Sequence, residues 1–443
     1  MNMRSAVLAQ VQDQLNNSEI TPTQWVVFLI AFLLNVLDGF DVVAMSVALP
    51  SLTAEWQISP TQKGYILSAA LVGMTLGAML LAPLADAYGR RRLILFATVN
   101  TALSLLLTGL IPESVTLLIV VRFLSGIGIG VIFANTAAIG SEFAPQRLRS
   151  AAVTFIIMGY PFGAMLAGPL ANAIIPVQGW QMLFIYGGLV TMLMAVFIYW
   201  GLPESVEYLA SSRLNEQKRL LLINRVLQRM RCAPLHSLPP AEIGESKAGH
   251  VRNLFEQGLT ATTLRIWAIY FMGFLSVYFL LSWIPTLFVN SGFSRREGIE
   301  ALTMHNLGAV AGILVIGLLS TKMALVRPVC GYFAGAAMLM GLLYLQQPRD
   351  LYLLNGMIFG VGFLLQGAFA AMYAVAARAY PAGVRATGLG WGAGLGRTGA
   401  ILSPVVAGYL VNTQWTMYQL FLLFAVPLLL AGLLVLKVRP FDT

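Results

Sequence analysis

The chain has 443 residues, of which 58% are apolar and only 10% charged, with a formal net charge of +9; its mean hydropathy is +0.78. Soluble domains run at roughly 45–50% apolar and about 25% charged, so 18 acidic and 27 basic residues are too few to clothe a water-soluble enzyme of this size. Two cysteines, Cys232 and Cys330, exclude a disulfide scaffold, and 24 Phe, 15 Tyr and 8 Trp exclude a disordered chain. What remains is a polytopic, all-α integral membrane protein.

The first two dozen residues are polar, with Gln10, Gln12, Gln14, Asn16 and Asn17, and read as a tail rather than a cleavable signal peptide. The apolar run that follows is long enough to span a membrane. Twelve such runs can be drawn, at about 25–50, 62–85, 93–111, 115–140, 150–175, 182–202, 263–290, 301–321, 326–346, 351–377, 385–411 and 416–436. Each is near the ~20 residues a bilayer requires. A polar stretch, 203–262, separates six spans from six. It contains Pro239-Pro240 and a periodic basic run from Leu214 to Met230 that suits a surface helix, although a plain tether is the simpler reading. The expected organisation is a tail (1–24), a six-helix bundle (25–202), a central loop (203–262), a second six-helix bundle (263–437) and a short tail (438–443).

Charge sets the orientation. Only Lys63, Arg295, Arg296 and Arg349 fall on one side, and Arg122 and Arg397 fall within spans. The other 21 basic residues lie with the termini, among them Arg4, Arg90–Arg92, Arg213, Lys247, Lys322 and Arg439. The positive-inside rule then puts both termini in the cytoplasm. The basic residues form no patch with interleaved aromatics, so no nucleic-acid partner is expected.

The two halves resemble one another. Ala144-Pro145-Gln146-Arg147-Leu148-Arg149-Ser150-Ala151 aligns with Tyr380-Pro381-Ala382-Gly383-Val384-Arg385-Ala386-Thr387 at an offset of 236, which also pairs Gly163-Ala164 with Gly399-Ala400. Pro83-Leu84-Ala85-Asp86 meets Leu318-Leu319-Ser320-Thr321 at 235. A near-constant offset across several spans indicates a duplicated six-helix unit, the architecture of alternating-access transporters. No phosphate loop of the Gly-x4-Gly-Lys-Ser/Thr type is present, which disfavours an ATP-driven pump.

Between spans two and three stands Ala82-Pro83-Leu84-Ala85-Asp86-Ala87-Tyr88-Gly89-Arg90-Arg91-Arg92. An acid closing one helix and arginines opening the next suit a charge lock that holds an outward-open state and breaks on switching. The gating set is Asp86, Gly89, Arg90, Arg91, Arg147 and Arg149. The segment resembles the loop signature of the major facilitator superfamily, with Ala82 in place of the leading glycine and Ala87 in place of the usual basic residue. Its counterpart in the second half has Thr321 where the acid would stand. Arg122-Phe123-Leu124-Ser125-Gly126-Ile127-Gly128-Ile129-Gly130 and Pro203-Glu204-Ser205 are similar to further signatures of that superfamily. The resemblance covers essentially the whole chain.

Span one carries Asp38-Gly39-Phe40-Asp41. An ionised acid at the bilayer centre costs roughly 2.5–3.5 kcal/mol on insertion scales, so such residues usually face a cavity or a partner. Asp38, nearer the midplane, is read as a proton-coupling group. Asp41 is at the depth of Arg122 and suits either proton coupling or a permanent ion pair. Arg397, about twelve residues into span eleven, is flanked by Gly394, Gly396 and Gly399. A guanidinium there can take a carboxylate in bidentate fashion.

Asp38-Gly39-Phe40-Asp41, Arg122, Ser141-Glu142-Phe143, Ser282-Trp283-Ile284-Pro285-Thr286-Leu287, Val384-Arg385-Ala386-Thr387-Gly388-Leu389-Gly390-Trp391 and Gly394-Leu395-Gly396-Arg397 resemble the aromatic acid:proton symporter branch. The resemblance implies roles in uptake for Asp38, Asp41, Arg122, Glu142 and Arg397. The proton-coupling set is then Asp38, Asp41 and Glu142, with a gating ion pair near Arg147 and Arg149 the safer reading for Glu142. The substrate-binding cations are Arg397 and Arg122. Phe40, Tyr160, Trp283, Gln366, Tyr373 and Trp391, with Tyr278, are candidates to line a pocket for a flat ring; His305 is a candidate relay, while His236 and His250 are left unassigned. The reading is a monomeric, multi-pass protein of the cell inner membrane with no cofactor, importing a small aromatic carboxylate such as benzoate or a hydroxybenzoate on a proton gradient. A carrier of another organic anion such as muconate or an aliphatic acid, or a transporter-like receptor, is the alternative.

Overall fold

The computed structural model describes residues 11–16, 20–212, 214–238, 251–256, 258–320 and 323–438. Arg4, Arg213, Pro239-Pro240, Lys247, His250, Thr321, Lys322 and Arg439 lie outside the described residues. Among the described residues there is no strand, and twelve helices are long and apolar enough to cross a membrane. They are α1 (Pro22–Trp56), α2 (Pro60–Tyr88), α3 (Arg90–Leu110), α4 (Val115–Phe143), α5 (Gln146–Gln178) and α6 (Trp180–Gly201) in the first half. The second half has α7 (Thr260–Asn290), α8 (Arg295–Leu319), α9 (Val326–Gln346), α10 (Leu351–Ala379), α11 (Ala382–Asn412) and α12 (Met417–Val435).

Several helices outrun their apolar stretches because polar caps, not hydropathy, set their ends. Thr21 and Gln24 form a reciprocal cap that starts α1 three residues before the apolar run begins, and Gln57 in the left-handed region ends it. Ser294 and Glu297 do the same for α8. Such caps satisfy backbone N–H groups left over at a helix start.

Each half places α1, α2, α4 and α5, or α7, α8, α10 and α11, around a central seam. The remaining helices α3, α6, α9 and α12 lie outside, with large apolar side chains such as Leu107, Phe197, Leu345 and Leu433 exposed, as a lipid-facing surface requires. Small residues allow close approach where helices cross. At Gly39 a Cβ would run into the carbonyl of Tyr160, and at Gly163 into the backbone of Val36. The crossing of α1 on α5 therefore depends on these two glycines.

The halves meet through α1 on α7, α2 on α11 and α5 on α8. Ser46 donates to the carbonyl of Ser282 (2.9 Å), Ser68 to Ile401 (2.7 Å) and Asn306 to Ala164 (3.2 Å), and Arg295 donates to the Ser51 hydroxyl (2.8 Å). All of these lie in the half of the membrane away from the termini. Gly64 sits against the carbonyl of Pro404, and Gly408 against that of Pro60, in the same half. The seam is thus closed at the face opposite the termini.

The polar segment after α6 is more than a tether. It forms helices Val206–Ser211 and Glu216–Arg229 and a short 3-10 turn, Val251–Phe255. Ile223, Val226 and Leu227 are buried in a cluster with Val11, Leu15 and Val27 of the first half. The Thr23 hydroxyl donates to the carbonyl of Arg229 at 2.9 Å. The basic run therefore docks its apolar face on the first bundle, because that face finds a protein partner.

Adding a methyl at the crossing tests this packing. Gly163→Ala should lower thermal stability in detergent by about 1–3 kcal/mol, the usual cost of overpacking. Gly356→Ala, where a Cβ would meet nothing within 4 Å, should leave it unchanged or slightly raised.

Candidate functional site

Two buried acids on α1 have different surroundings. Asp41 is fully buried and ion-paired with Arg122 of α4, which is itself 1% exposed. Arg122 also donates to the Asp41 carbonyl at 3.2 Å, and the Ser125 hydroxyl donates to the other carboxylate oxygen. Both oxygens of Asp41 are thereby engaged within one bundle. The Arg122 guanidinium is thus directed at Asp41, and the residue also borders the seam beside Tyr278 and Ser282 of the second half. Ser125 was part of the span-four motif, but nothing in its spacing marked it as a partner of Asp41.

Asp38, one turn nearer the midplane, is also buried, and one of its carboxylate oxygens has no hydrogen-bond partner. It is within electrostatic reach of the Tyr160 phenol, as is Arg397 from the other bundle. The Tyr160 and Tyr278 hydroxyls stand 3.5 Å apart across the seam. Tyr373 of α10 lies within reach of both Arg397 and Tyr278. Asp38, Tyr160, Tyr278, Tyr373 and Arg397 thus form one polar chain from α1 to α11 near the membrane centre.

Arg397 is half-buried and has no acidic partner among the described residues. Its guanidinium carbon lies 5.9 Å from the centroid of the Phe133 ring, a cation–π distance. Around it runs an aromatic wall. Tyr270, Phe274 and Tyr278 repeat every four residues on α7, and Phe369 and Tyr373 do so on α10. The Phe274 and Phe369 centroids are 4.6 Å apart, and those of Tyr270 and Tyr373 are 5.1 Å apart. Tyr373 is 40% exposed, so it borders open space. Phe133, Tyr270, Phe274 and Phe369 were not singled out in the sequence, although the i, i+4 spacing of the last three with Tyr278 and Tyr373 was a readable signal.

Other candidates lie elsewhere. The Phe40 ring turns away from the seam and rests against Gly187 of α6. Trp283 is fully buried in the closed half of the seam, and its indole N–H donates to the Pro404 carbonyl at 3.2 Å. It is a plug residue in this state. Trp391, 39% exposed, stacks toward Trp267 near the terminus end of α7, at 6.5 Å between centroids. Gln366 is half-buried on α10. His305 is fully buried between α8 and α10, where its backbone touches Gly362, and it is not among the residues joined at Arg397.

Lys63 was counted at the membrane edge, yet it is only 5% exposed, on the turn of α2 that packs against α11. It has no acidic partner among the described residues.

At the terminus face the charge cluster is built differently from its sequence expectation. Arg90, not Asp86, is its centre. Arg90 is ion-paired with Glu142 at the end of α4 and with Glu207 at 2.8 Å. Asp86 is 59% exposed and 3.9 Å from Arg90. Glu142 also accepts the Ser205 hydroxyl at 2.6 Å, and this ties α3, α4 and the segment after α6 together. Glu142 therefore meets Arg90 rather than Arg147 or Arg149, both of which are exposed. Gly89 has a φ of +100°, and a Cβ there would come 2.5 Å from a Glu204 oxygen. Only glycine fits both demands. Burial pushes the Glu204 carboxyl above its usual range, while N–H donation from Arg91 (3.0 Å) and Ser205 (3.0 Å) opposes that shift.

A family model described as Major Facilitator Superfamily matches residues 31–395 and 266–443. The chain is a member of that superfamily. It is a multi-pass membrane transporter, not an enzyme. It is similar to the 4-hydroxybenzoate transporter PcaK of Pseudomonas aeruginosa, with 34% identity covering 96% of this chain and 95% of that protein. With the benzoate transport protein of Acinetobacter baylyi it shares 31% identity over 95% of this chain and 90% of that one. Among solved structures, the inward open conformation of the E. coli xylose transporter XylE superposes with a TM-score of 0.73 at 18% identity, covering 94% of this chain and 96% of that chain. That likeness shows the fold.

The Asp41–Arg122 pair makes a prediction. Arg122→Gln alone leaves a buried charge and should cost about 3–5 kcal/mol, read as thermal unfolding in detergent. The double variant Asp41→Asn/Arg122→Gln should recover most of that loss. A single variant as stable as the double would contradict the pairing.

Proposed function

We propose that the protein is a proton-coupled importer of a small aromatic carboxylate, lodged in the cell inner membrane with both termini in the cytoplasm. The observation that carries this is Arg397, a midplane guanidinium with no acidic partner among the described residues, set against an aromatic wall. A cation in that position is too costly to be idle. An incoming carboxylate supplies the missing anion, and the rings of α7 and α10 offer edge and face contacts to an arene. The names of the relatives, which include benzoate and 4-hydroxybenzoate transporters, support the same substrate class.

In this reading the closed face is periplasmic, and the structure opens to the cytoplasm. From the periplasm the substrate enters between the bundles and its carboxylate meets Arg397. Asp38, with an unpaired carboxylate oxygen and Tyr160 between it and Arg397, carries the proton. Neutralising Asp38 lowers the cost of closing the seam over it. On reaching the cytoplasmic side the acid faces a higher pH, discharges, and resets the carrier. Asp41, clamped by Arg122 and Ser125, holds α1 on α4 throughout. Glu142, Arg90 and Glu207 tie α3, α4 and the segment after α6 together within the first bundle while the seam is open to the cytoplasm. They act as a brace inside that bundle rather than as a lock that must break on switching. Asp86, Gly89, Arg91, Arg147 and Arg149 belong to the same face. The protein works as a monomer, since each chain holds the complete set.

Uptake of radiolabelled benzoate into proteoliposomes separates the two roles. Wild type should accumulate benzoate under an inward proton gradient and lose it on adding a protonophore. Asp38→Asn should abolish gradient-driven accumulation yet retain exchange against internal benzoate. Arg397→Gln should lose both. Accumulation by Asp38→Asn equal to wild type would contradict its role. Failure of benzoate, hydroxybenzoates and muconate alike in a well-folded protein would contradict the substrate class.

A further inference from the structure

Outside the seam, an open cavity of about 660 Å³ lies at the terminus face, between the starts of α3, the end of α6 and the helix Glu216–Arg229. Four arginines line it: Arg91, Arg92, Arg225 and Arg229. Arg92, Arg225 and Arg229 are exposed; Arg92 lies within electrostatic reach of Glu204, while Arg225 and Arg229 have no acidic partner among the described residues. Arg91 is held over the Tyr199 ring at 5.5 Å and donates to the Tyr199 carbonyl. The acid in the lining, Glu204, spends one oxygen on the backbone N–H groups of Arg91 and Ser205. The cavity is therefore strongly cationic.

Its other wall is apolar and lies at the membrane boundary. Leu95, one turn into α3, faces it with Leu222 and Val226 of the docked helix. Beside it Tyr199 and Trp200 end α6 with rings 58% and 70% exposed, the position of an interfacial aromatic belt. Farther along the outer surface, Phe96 of α3 and Phe197 of α6 are 67% and 51% exposed. Guanidinium groups above an apolar, lipid-facing surface match one ligand chemistry: a phosphodiester that carries acyl chains.

We propose that this cavity is a binding site for the headgroup of an acidic phospholipid from the leaflet at the terminus face. Arg225 and Arg229 reach the phosphate from the docked helix, and Arg91 and Arg92 reach it from α3. The lipid thus bridges the helix Glu216–Arg229 to the first bundle beside the Arg90 ion pairs. A free phosphate would use the same arginines but leave the apolar wall unused.

The test uses the full chain in vesicles of phosphatidylcholine, alone or mixed with phosphatidylglycerol, and compares wild type with Arg225→Gln/Arg229→Gln. Co-purifying lipid is counted by mass spectrometry after detergent extraction, and thermal unfolding is read in both lipids. Wild type should retain phosphatidylglycerol in preference to phosphatidylcholine and unfold at a higher temperature in its presence. The double variant should lose retained phosphatidylglycerol by roughly tenfold or more, the scale expected for two interfacial arginines, while unfolding like wild type in phosphatidylcholine alone. No preference in wild type, or an undiminished preference in the variant, would overturn the proposal. So would stabilisation by inorganic phosphate in phosphatidylcholine equal to that by phosphatidylglycerol, which would assign the cavity to a free anion. A variant that unfolds early in phosphatidylcholine is replaced by Arg225→Lys/Arg229→Lys, which keeps the charge and loses the bidentate fork. Weaker retention by that pair supports the site, and unchanged retention overturns it.

Discussion

An unpaired guanidinium near the middle of a membrane is the constraint around which the rest of this structure is arranged. Arg397 cannot be neutralised by losing a proton, and no carboxylate among the described residues meets it in this state. What surrounds it instead is softer: the Phe133 ring and the Tyr373 and Tyr160 phenols. Such a setting tolerates the charge without satisfying it, which leaves the strongest interaction for a visiting anion. The glycines around Arg397 leave room, and the aromatic repeats on α7 and α10 supply the complementary surface.

The two acids of α1 show how neighbours divide roles between similar residues. Asp41 has Arg122 on one oxygen and Ser125 on the other, so its charge is fully committed inside one bundle. Asp38 has an oxygen with no partner and faces the seam through Tyr160. The seam then couples this local chemistry to the whole molecule. Its contacts are carried by backbone carbonyls of Ser282, Ile401, Ala164 and Pro404 against small or polar side chains, and close approach of that kind is either made or lost as a unit.

Much of this was legible in the sequence. The twelve spans follow from hydropathy and length, and the midplane positions of Asp38 and Arg397 follow from counting along the runs. The superfamily followed from the loop motifs. The Asp41–Arg122 pair was visible as one of two options, because equal depth permits a contact without establishing it. Side-chain direction was not legible. Phe40 sits between Asp38 and Asp41 yet points to Gly187, since a helix residue two positions from Asp38 faces another way. That Arg90 would meet Glu142 and Glu207 was not legible because those acids come from distant segments, α4 and the helix Val206–Ser211. The docked helix Glu216–Arg229 read as a surface element, since amphipathic periodicity cannot say whether lipid or protein receives the apolar face. Lys63 was counted as an edge charge because burial at a seam leaves no trace in local sequence.

The most direct test of the central claim is ligand-induced thermal stabilisation of the detergent-solubilised protein by benzoate against benzamide, in wild type and in Arg397→Gln. The two ligands share a ring and nearly a shape, and they differ in the charge that Arg397 is held to recognise. Wild type should be stabilised by benzoate and little affected by benzamide, and Arg397→Gln should lose that discrimination while keeping its ligand-free unfolding temperature. Equal discrimination in the variant would contradict the account, because the carboxylate would then be read by some other group.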